Sequence, residues 1–403
     1  MHSANARQRS ARSRIRCGYV DHALQAWRRR DLRRTVERRR ERRSAERPEV
    51  AGCARTPESR SVLIESRSCS GAVRVGQCGH VLEPKRDSSR FRRYRLARVV
   101  WTRENWGLWG RVSAGTVEVG DGRTLAFEEV GDPAGAPVFV IHGTPGCRLS
   151  GRHPDLSRVS AAGLRLVTYD RPGYGRSTRQ PGRRVVDCVS DVATIADALD
   201  IQRFAVSGGS VGGPHALAIA ARLPERVTRV ACVVGGAPYD AEDLDWFAGM
   251  DPVNVKEFGW ALTGEGMLAP ELQRQAQESL DRVDEDPTAL LADVELSESD
   301  RAVLRDPGVR ETLRAATHEM FAAGAWGWVD DDLAFVQSWG FDLQELRVPV
   351  EIRYGVTDVL VPAAHGKWLA AHVPGAEVFV DEHGGHLSTP DQRLEMLRTL
   401  AVT

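Results

Sequence analysis

The sequence predicts an α/β fold: a mostly parallel sheet of eight strands with helices on both faces. Three observations carry that expectation. Short continuous apolar runs alternate with helical patterns from residue 137 onward, as buried parallel strands and their crossover helices do. A hairpin signal precedes them, so the sheet should begin antiparallel. The alternation then stops over residues 238–340, which read as helix throughout and predict an insertion over the C-terminal edge of the sheet.

The elements follow in order. Residues 115–119 and 124–130 alternate apolar and polar around Gly120-Asp121-Gly122, a turn with the glycines a tight hairpin needs. Strands are then expected at 137–141, 164–169, 204–206, 227–234, 348–354 and 376–380, with helices near 185–199, 211–223, 363–372 and 391–400. The insertion is acidic and rich in aromatic residues, among them Trp246, Trp260, Trp326, Trp328 and Trp339. As a group near a pocket mouth, these suggest an apolar acyl or alcohol site.

The formal net charge of zero hides a split. Residues 1–100 hold 27 Lys+Arg against 10 Asp+Glu, and the other 303 hold 28 against 45. Arginine-rich runs with few apolar positions cannot offset the entropy of ordering, so residues 1–110 are expected to form a low-order extension, with at most a charged helix at 23–47. No aromatic or glycine interleaving suggests RNA recognition, which argues against a nucleic-acid partner. An over-long reading of the start is an alternative, with Val99 or Val100 as a non-Met start, because no methionine lies between Met1 and Met250. The domain proper is then 111–403, with a helical cap at about 238–340.

The seven cysteines are odd in number and scattered, against a disulfide scaffold, and Cys69, Cys78 and His80 lack the spacing of a zinc finger. No cofactor or metal is expected. No apolar run is long enough to span a bilayer and no secretory signal is visible, so the expectation is a cytoplasmic protein acting on a small molecule. The sequence does not indicate an oligomeric state.

The chemistry gathers at strand ends. Gly208-x-Ser210-x-Gly212 falls between an apolar run and an Ala-rich helical stretch, the arrangement of a nucleophile elbow. The turn pushes the serine into strained φ/ψ and stands its Oγ at a helix N-terminus, where developing negative charge is favoured. His142-Gly-Thr-Pro-Gly146 ends the third strand, Asp170-Arg-Pro-Gly-Tyr-Gly-Arg-Ser177 follows the fourth, and Asp358 and His386 follow the last two.

With these motifs in this order, residues 115–403 resemble the α/β-hydrolase superfamily, in particular its proline-iminopeptidase-like and carboxylesterase-like branch. The resemblance implies a Ser-His-Asp triad: Ser210 as nucleophile, His386 as general base and then acid, and Asp358 orienting the imidazole. It implies an oxyanion hole from the backbone amides of Thr144 and Val211. His386 is preferred to His383 by its place between Gly385 and Leu387, and Asp358 to Asp240, where some members carry the acid. His142, Asp170, Arg171 and Ser177 are expected to brace loops, and His215 to pack.

A serine at the elbow argues against the dehalogenase and epoxide hydrolase branches, which use aspartate there. Acyl transfer to water, from an ester or an amide, is the expected reaction. The iminopeptidases usually have Gly at the third oxyanion position and Trp after the serine; Thr144 and Val211 depart from both, so a carboxylesterase-type activity is preferred. An aminopeptidase, a lyase or cofactor-free oxygenase, and a non-catalytic ligand receptor are the alternatives on this fold.

Overall fold

The Gly120-Asp121-Gly122 signal closes as a tight turn: Val119 donates to the Arg123 carbonyl at 2.8 Å, and Gly122 donates back to the Val119 carbonyl at 2.9 Å with its φ at +86°. It joins β2 (Gly110–Glu118) to β3 (Thr124–Gly131) in antiparallel register. The computed structural model describes residues 99–107 and 110–402. The expectations for 1–98, including the helix at 23–47 and the reading of Cys69, Cys78 and His80, lie outside the described residues.

Residues 99–107, within the stretch expected to be a low-order extension, form a strand. This β1 (Val99–Gly107) pairs antiparallel with β2, so among the described residues the sheet has nine strands, one more than the eight expected. Its sequence, Val-Val-Trp-Thr-Arg-Glu-Asn-Trp-Gly, carries neither a clean alternation nor a flanking turn signal on its N-terminal side. The remaining strands are β4 (Ala136–Ile141), β5 (Leu164–Tyr169), β6 (Phe204–Gly209), β7 (Val227–Val233), β8 (Val350–Gly355) and β9 (Glu377–Asp381). Their spatial order is β1-β2-β3-β5-β4-β6-β7-β8-β9, and every pair from β5–β4 to β8–β9 is parallel.

Two helical layers cover the sheet, and alternate side chains along the strands feed them. Phe139, Ile141, Phe204, Val206, Val230 and Cys232 face α2 (Cys188–Ala198), α3 (Gly212–Arg222) and α9 (Ala363–His372). Val138, Ala205 and Ala231 face the opposite layer, where α1 (Leu156–Ala161) supplies Val159 and α10 (Pro390–Ala401) supplies Leu397 and Leu400. Burying a ring such as Phe139, packed 4.7 Å from Phe204, stabilises the fold by roughly 2–3 kcal/mol. Helix α1 was not visible in the sequence: at six residues it is too short to display a helical period, and only the Asp155 cap, accepting from the Ser157 amide at 3.0 Å, marks it.

Between β7 and β8 lie five α-helices: α4 (Pro252–Thr263), α5 (Glu265–Arg282), α6 (Glu298–Leu304), α7 (Pro307–Met320) and α8 (Trp326–Phe335). They form the helical insertion expected there. Its Leu268, Leu272, Met320, Phe321, Trp328 and Val329 are buried in one cluster with Cys147 and Tyr174 from the loops after β4 and β5. Among the described residues no helix is long and apolar enough to cross a membrane.

Candidate active site

Strand β6 enters α3 through one residue of left-handed backbone, Ser210 at φ +55°. The turn closes only because its flanks are glycine. A Cβ on Gly208 would stand 2.0 Å from the Gly212 carbonyl oxygen, and one on Gly212 would stand 2.5 Å from the carbonyl oxygens of Ile141 and His142. Helix, β6 and the end of β4 therefore approach one another so closely that the Ser210 side chain is left at the sheet edge, half-buried.

His386 reaches the same edge from the loop after β9. Its Nδ1 lies 2.8 Å from Oδ2 of the buried Asp358, in the loop after β8. A carboxylate there can only accept, so Nδ1 carries the proton and Nε2 keeps its lone pair. Asp358 is itself held: its Oδ1 accepts from the amides of Leu360 at 2.8 Å and Val361 at 2.9 Å. Burial would lower the His386 pKa, but the charge and hydrogen bond of Asp358, helped by the charge of Asp300, raise it above the ordinary histidine value.

Asp300, on α6, carries no signal in the sequence. Fully buried, it accepts the Leu387 amide at 2.7 Å through Oδ1 and the Ser297 hydroxyl at 2.8 Å through Oδ2. A Cβ on Gly385 would stand 2.2 Å from Oδ2, so the glycine before His386 is what lets the insertion grip this loop.

The loop after β4 is braced from beneath. Arg171 Nη2 donates to the Gly143 carbonyl at 2.8 Å, to Thr144 Oγ1 at 3.0 Å and to Asp331 Oδ2 at 2.6 Å, while its Nη1 bonds the His142 carbonyl. Asp331, on α8, also accepts from Thr144 Oγ1 at 2.6 Å, from Tyr174 at 2.9 Å and from Arg183 at 2.5 Å. Burial would raise its pKa, but the two guanidinium groups hold it well below the usual carboxylate range. His142 accepts the Arg171 amide at Nε2, 3.1 Å, and lies 2.7 Å from the Gly143 carbonyl at Nδ1; burial beside Arg171 keeps it neutral. With both nitrogens engaged it braces the loop, as does Asp170, which accepts from the Arg148 amide and guanidinium at 2.7 and 2.5 Å. Ser177 accepts the Ala126 amide at 2.9 Å, and His215 Nδ1 lies 2.8 Å from the Val211 carbonyl while its Nε2 stays 4.0 Å from Asp331, its pKa pushed down to about 3 by burial and Arg171.

What this bracing presents is two amides. The backbone N–H groups of Thr144 and Val211 have no acceptor among the described residues. Both residues line a cavity of about 100 Å³ that Ser210 and His386 also line, walled by Trp246, Phe258, Trp328 and Phe335. A second cavity, of about 260 Å³, lies on the other side, again bounded by Ser210 and His386 but otherwise mostly aliphatic.

The aromatic cavity contains two acids. Glu257 on α4 accepts the Trp328 indole at 2.8 Å, and Asp332 on α8 is buried beside it. Burial raises Glu257, and burial together with the Glu257 charge raises Asp332 well above the carboxylate range. Of the sequence alternatives, His383 is exposed outside this edge, and Asp240 is exposed in the loop after β7. Among the described residues no His, Cys, Asp and Glu group could hold a metal ion, and Cys147, Cys188 and Cys232 are buried free thiols.

Residues 136–391 match the family described as the alpha/beta hydrolase fold. Rhodomycin D methylesterase DauP of Streptomyces sp. (strain C5) is 29% identical over 280 residues, covering 65% of this chain and 89% of that one. A proline iminopeptidase of Xanthomonas citri is 39% identical, but over 113 residues, 27% of this chain and 34% of the iminopeptidase. The solved structure of a hydrolase from Pseudomonas aeruginosa superposes with a TM-score of 0.53 at 19% identity, over 74% of this chain and 100% of that one. At that identity the likeness speaks to the fold alone.

Proposed function

Because the chain belongs to the α/β-hydrolase fold family, we propose that it is a serine hydrolase that cleaves carboxylic esters through an acyl-enzyme. Ser210 Oγ attacks the ester carbonyl while His386 Nε2 takes its proton, and Asp358 holds the imidazole and stabilises the imidazolium. The oxyanion that forms is taken by the amides of Thr144 and Val211. His386 then protonates the departing alcohol, and a water attacks the acyl-enzyme with His386 again as base.

One observation carries this reading: two unpartnered amides and the Asp358-bound His386 line the same cavity as the strained Ser210. Preorganised donors of this kind are each worth about 100- to 1000-fold in rate. The two cavities on either side of Ser210 fit the acyl and alcohol parts of an ester, under a helical cap. Similarity to a methylesterase over nine-tenths of that enzyme's length favours a small alcohol as leaving group.

A second reading is an aminopeptidase, in which Glu257 and Asp332 would hold a substrate ammonium near Ser210. Thr144 and Val211, where iminopeptidases usually have Gly and Trp, weigh against it. Assay of p-nitrophenyl and methyl esters beside proline and alanine anilides separates the two. The esterase reading expects turnover of esters, lost by at least about 1000-fold in Ser210→Ala; anilide turnover without ester turnover would overturn it.

A further inference from the structure

The aliphatic cavity beside Ser210 has a cation in its wall. Val303, Leu304, Val309 and Leu313 of the insertion and Leu387 are among its apolar lining, with hydroxyl side chains such as Thr312 and Ser388 between them, and Arg393 enters from the start of α10. Other arginines well inside this fold have an acid: Arg148 has Asp170, Arg165 has Glu129, Arg171 and Arg183 have Asp331, and Arg152, which also reaches this cavity, has Glu128. Arg393 has none among the described residues. The acids on its own helix are committed elsewhere, Asp391 to Arg158 and His153, and Glu395 to Arg398.

Its guanidinium end is placed as well as its stem. A Cβ on Gly151, which lines the same cavity, would stand 2.2 Å from Arg393 Nη1, so the glycine makes room for the charged head. Burial with no opposing charge lowers the Arg393 pKa, yet a guanidinium stays charged at any ordinary pH. A sheltered charge without a counter-charge is costly, and a bound anion would offset that cost with a paired, charge-assisted hydrogen bond.

We propose that Arg393 anchors a carboxylate subsite in this cavity, and that the ester cleaved at Ser210 carries a carboxylate at the far end of a short aliphatic chain. The inference rests on the esterase reading of Ser210. The aliphatic walls suit methylene groups, and one guanidinium balances one carboxylate, whereas a phosphate dianion would leave a charge uncompensated among leucines and valines. The substrate class is the half-ester of an aliphatic dicarboxylic acid.

The test compares p-nitrophenyl half-esters of glutaric, adipic and suberic acids with p-nitrophenyl alkanoates of matching length, on the wild type, Arg393→Gln and Arg393→Lys. The expected result is a loss of kcat/KM in Arg393→Gln at least about tenfold larger for half-esters than for alkanoates, mainly in KM and partly restored by lysine. Equal losses on both series, or none on either, would overturn the subsite. Calorimetric titration of adipate into Ser210→Ala and into Ser210→Ala/Arg393→Gln reads the subsite without turnover: affinity lost with the arginine supports it, and equal affinity contradicts it. A wild type that cleaves neither series refutes the esterase reading instead.

Discussion

The carboxylate of Asp300, in the helical insertion, accepts the backbone amide of Leu387 at 2.7 Å and so ties the insertion to the residue beside His386. This bond crosses from one layer of the molecule to another, and the base of the proposed triad hangs from it. Asp300→Ala should lower kcat by about 10- to 100-fold with a smaller change in KM, since a small misplacement of a catalytic group has that order of cost. Asp300→Asn keeps an acceptor for the Leu387 amide, and the Ser297 hydroxyl can turn to accept from the new amide, so it should recover most of the rate. Steady-state kinetics on both variants check this, and equal loss in both would point to charge rather than position.

The pH profile follows from His386. In the proposed mechanism His386 acts as base only when Nε2 is free of a proton, so kcat/KM should fall on the acid side through a pKa above the ordinary histidine value. Asp358→Asn removes the charge and the bond that raise it and leaves the burial that lowers it. The acid limb should move to lower pH while kcat falls by about four orders of magnitude, because the imidazole loses its tautomer. For stability the sign is opposite to that of a paired carboxylate. The proton is held more tightly in the folded state, so the contribution is complete below the unfolded histidine pKa and is lost as pH rises through the folded one.

Asp332 should behave as a carboxyl with a raised pKa. Below the unfolded carboxyl pKa both states hold the proton and nothing is lost. As pH rises toward the folded pKa the unfolded chain ionises and the folded one does not, so stability falls across that window. Asp332→Asn should therefore raise Tm near pH 7 by about 2 °C or more, and the gain should vanish near pH 3. Thermal unfolding at the two pH values measures it.

Ser210 is strained as well as placed. A left-handed φ costs a non-glycine residue on the order of 1 kcal/mol, which Ser210→Gly should return as stability while removing the proposed nucleophile. Ser210→Ala keeps a Cβ and should gain much less. Chemical denaturation of the two variants separates strain from the loss of a hydroxyl.

Sequence reasoning reached residues that a strand end announces. Ser210 sits in a glycine-bounded turn that local pattern marks, and Asp358 and His386 each follow an apolar run, but the choice of these two over Asp240 and His383 came from the family resemblance. The residues that hold them were illegible for a geometric reason. Thr144 meets Asp331 across 187 residues, and Leu387 meets Asp300 across 87, with no motif at either distant end. The run Asp330-Asp331-Asp332 was visible as three acids in a helix, but not that successive helical positions would send them to Arg179, to Arg171 and Arg183, and to the side of Glu257. Strand β1 escaped because antiparallel edge pairing needs only backbone groups, and its sequence carries no period.

The central claim is that Ser210 is an activated nucleophile, and covalent labelling tests it most directly. A fluorophosphonate probe reacted with the folded wild type, followed by peptide mass spectrometry, should place a single stoichiometric adduct on Ser210. Labelling should be absent from Ser210→Ala and strongly slowed in His386→Ala. A folded wild type that takes up no label, or one whose adduct sits on another serine, would contradict the account.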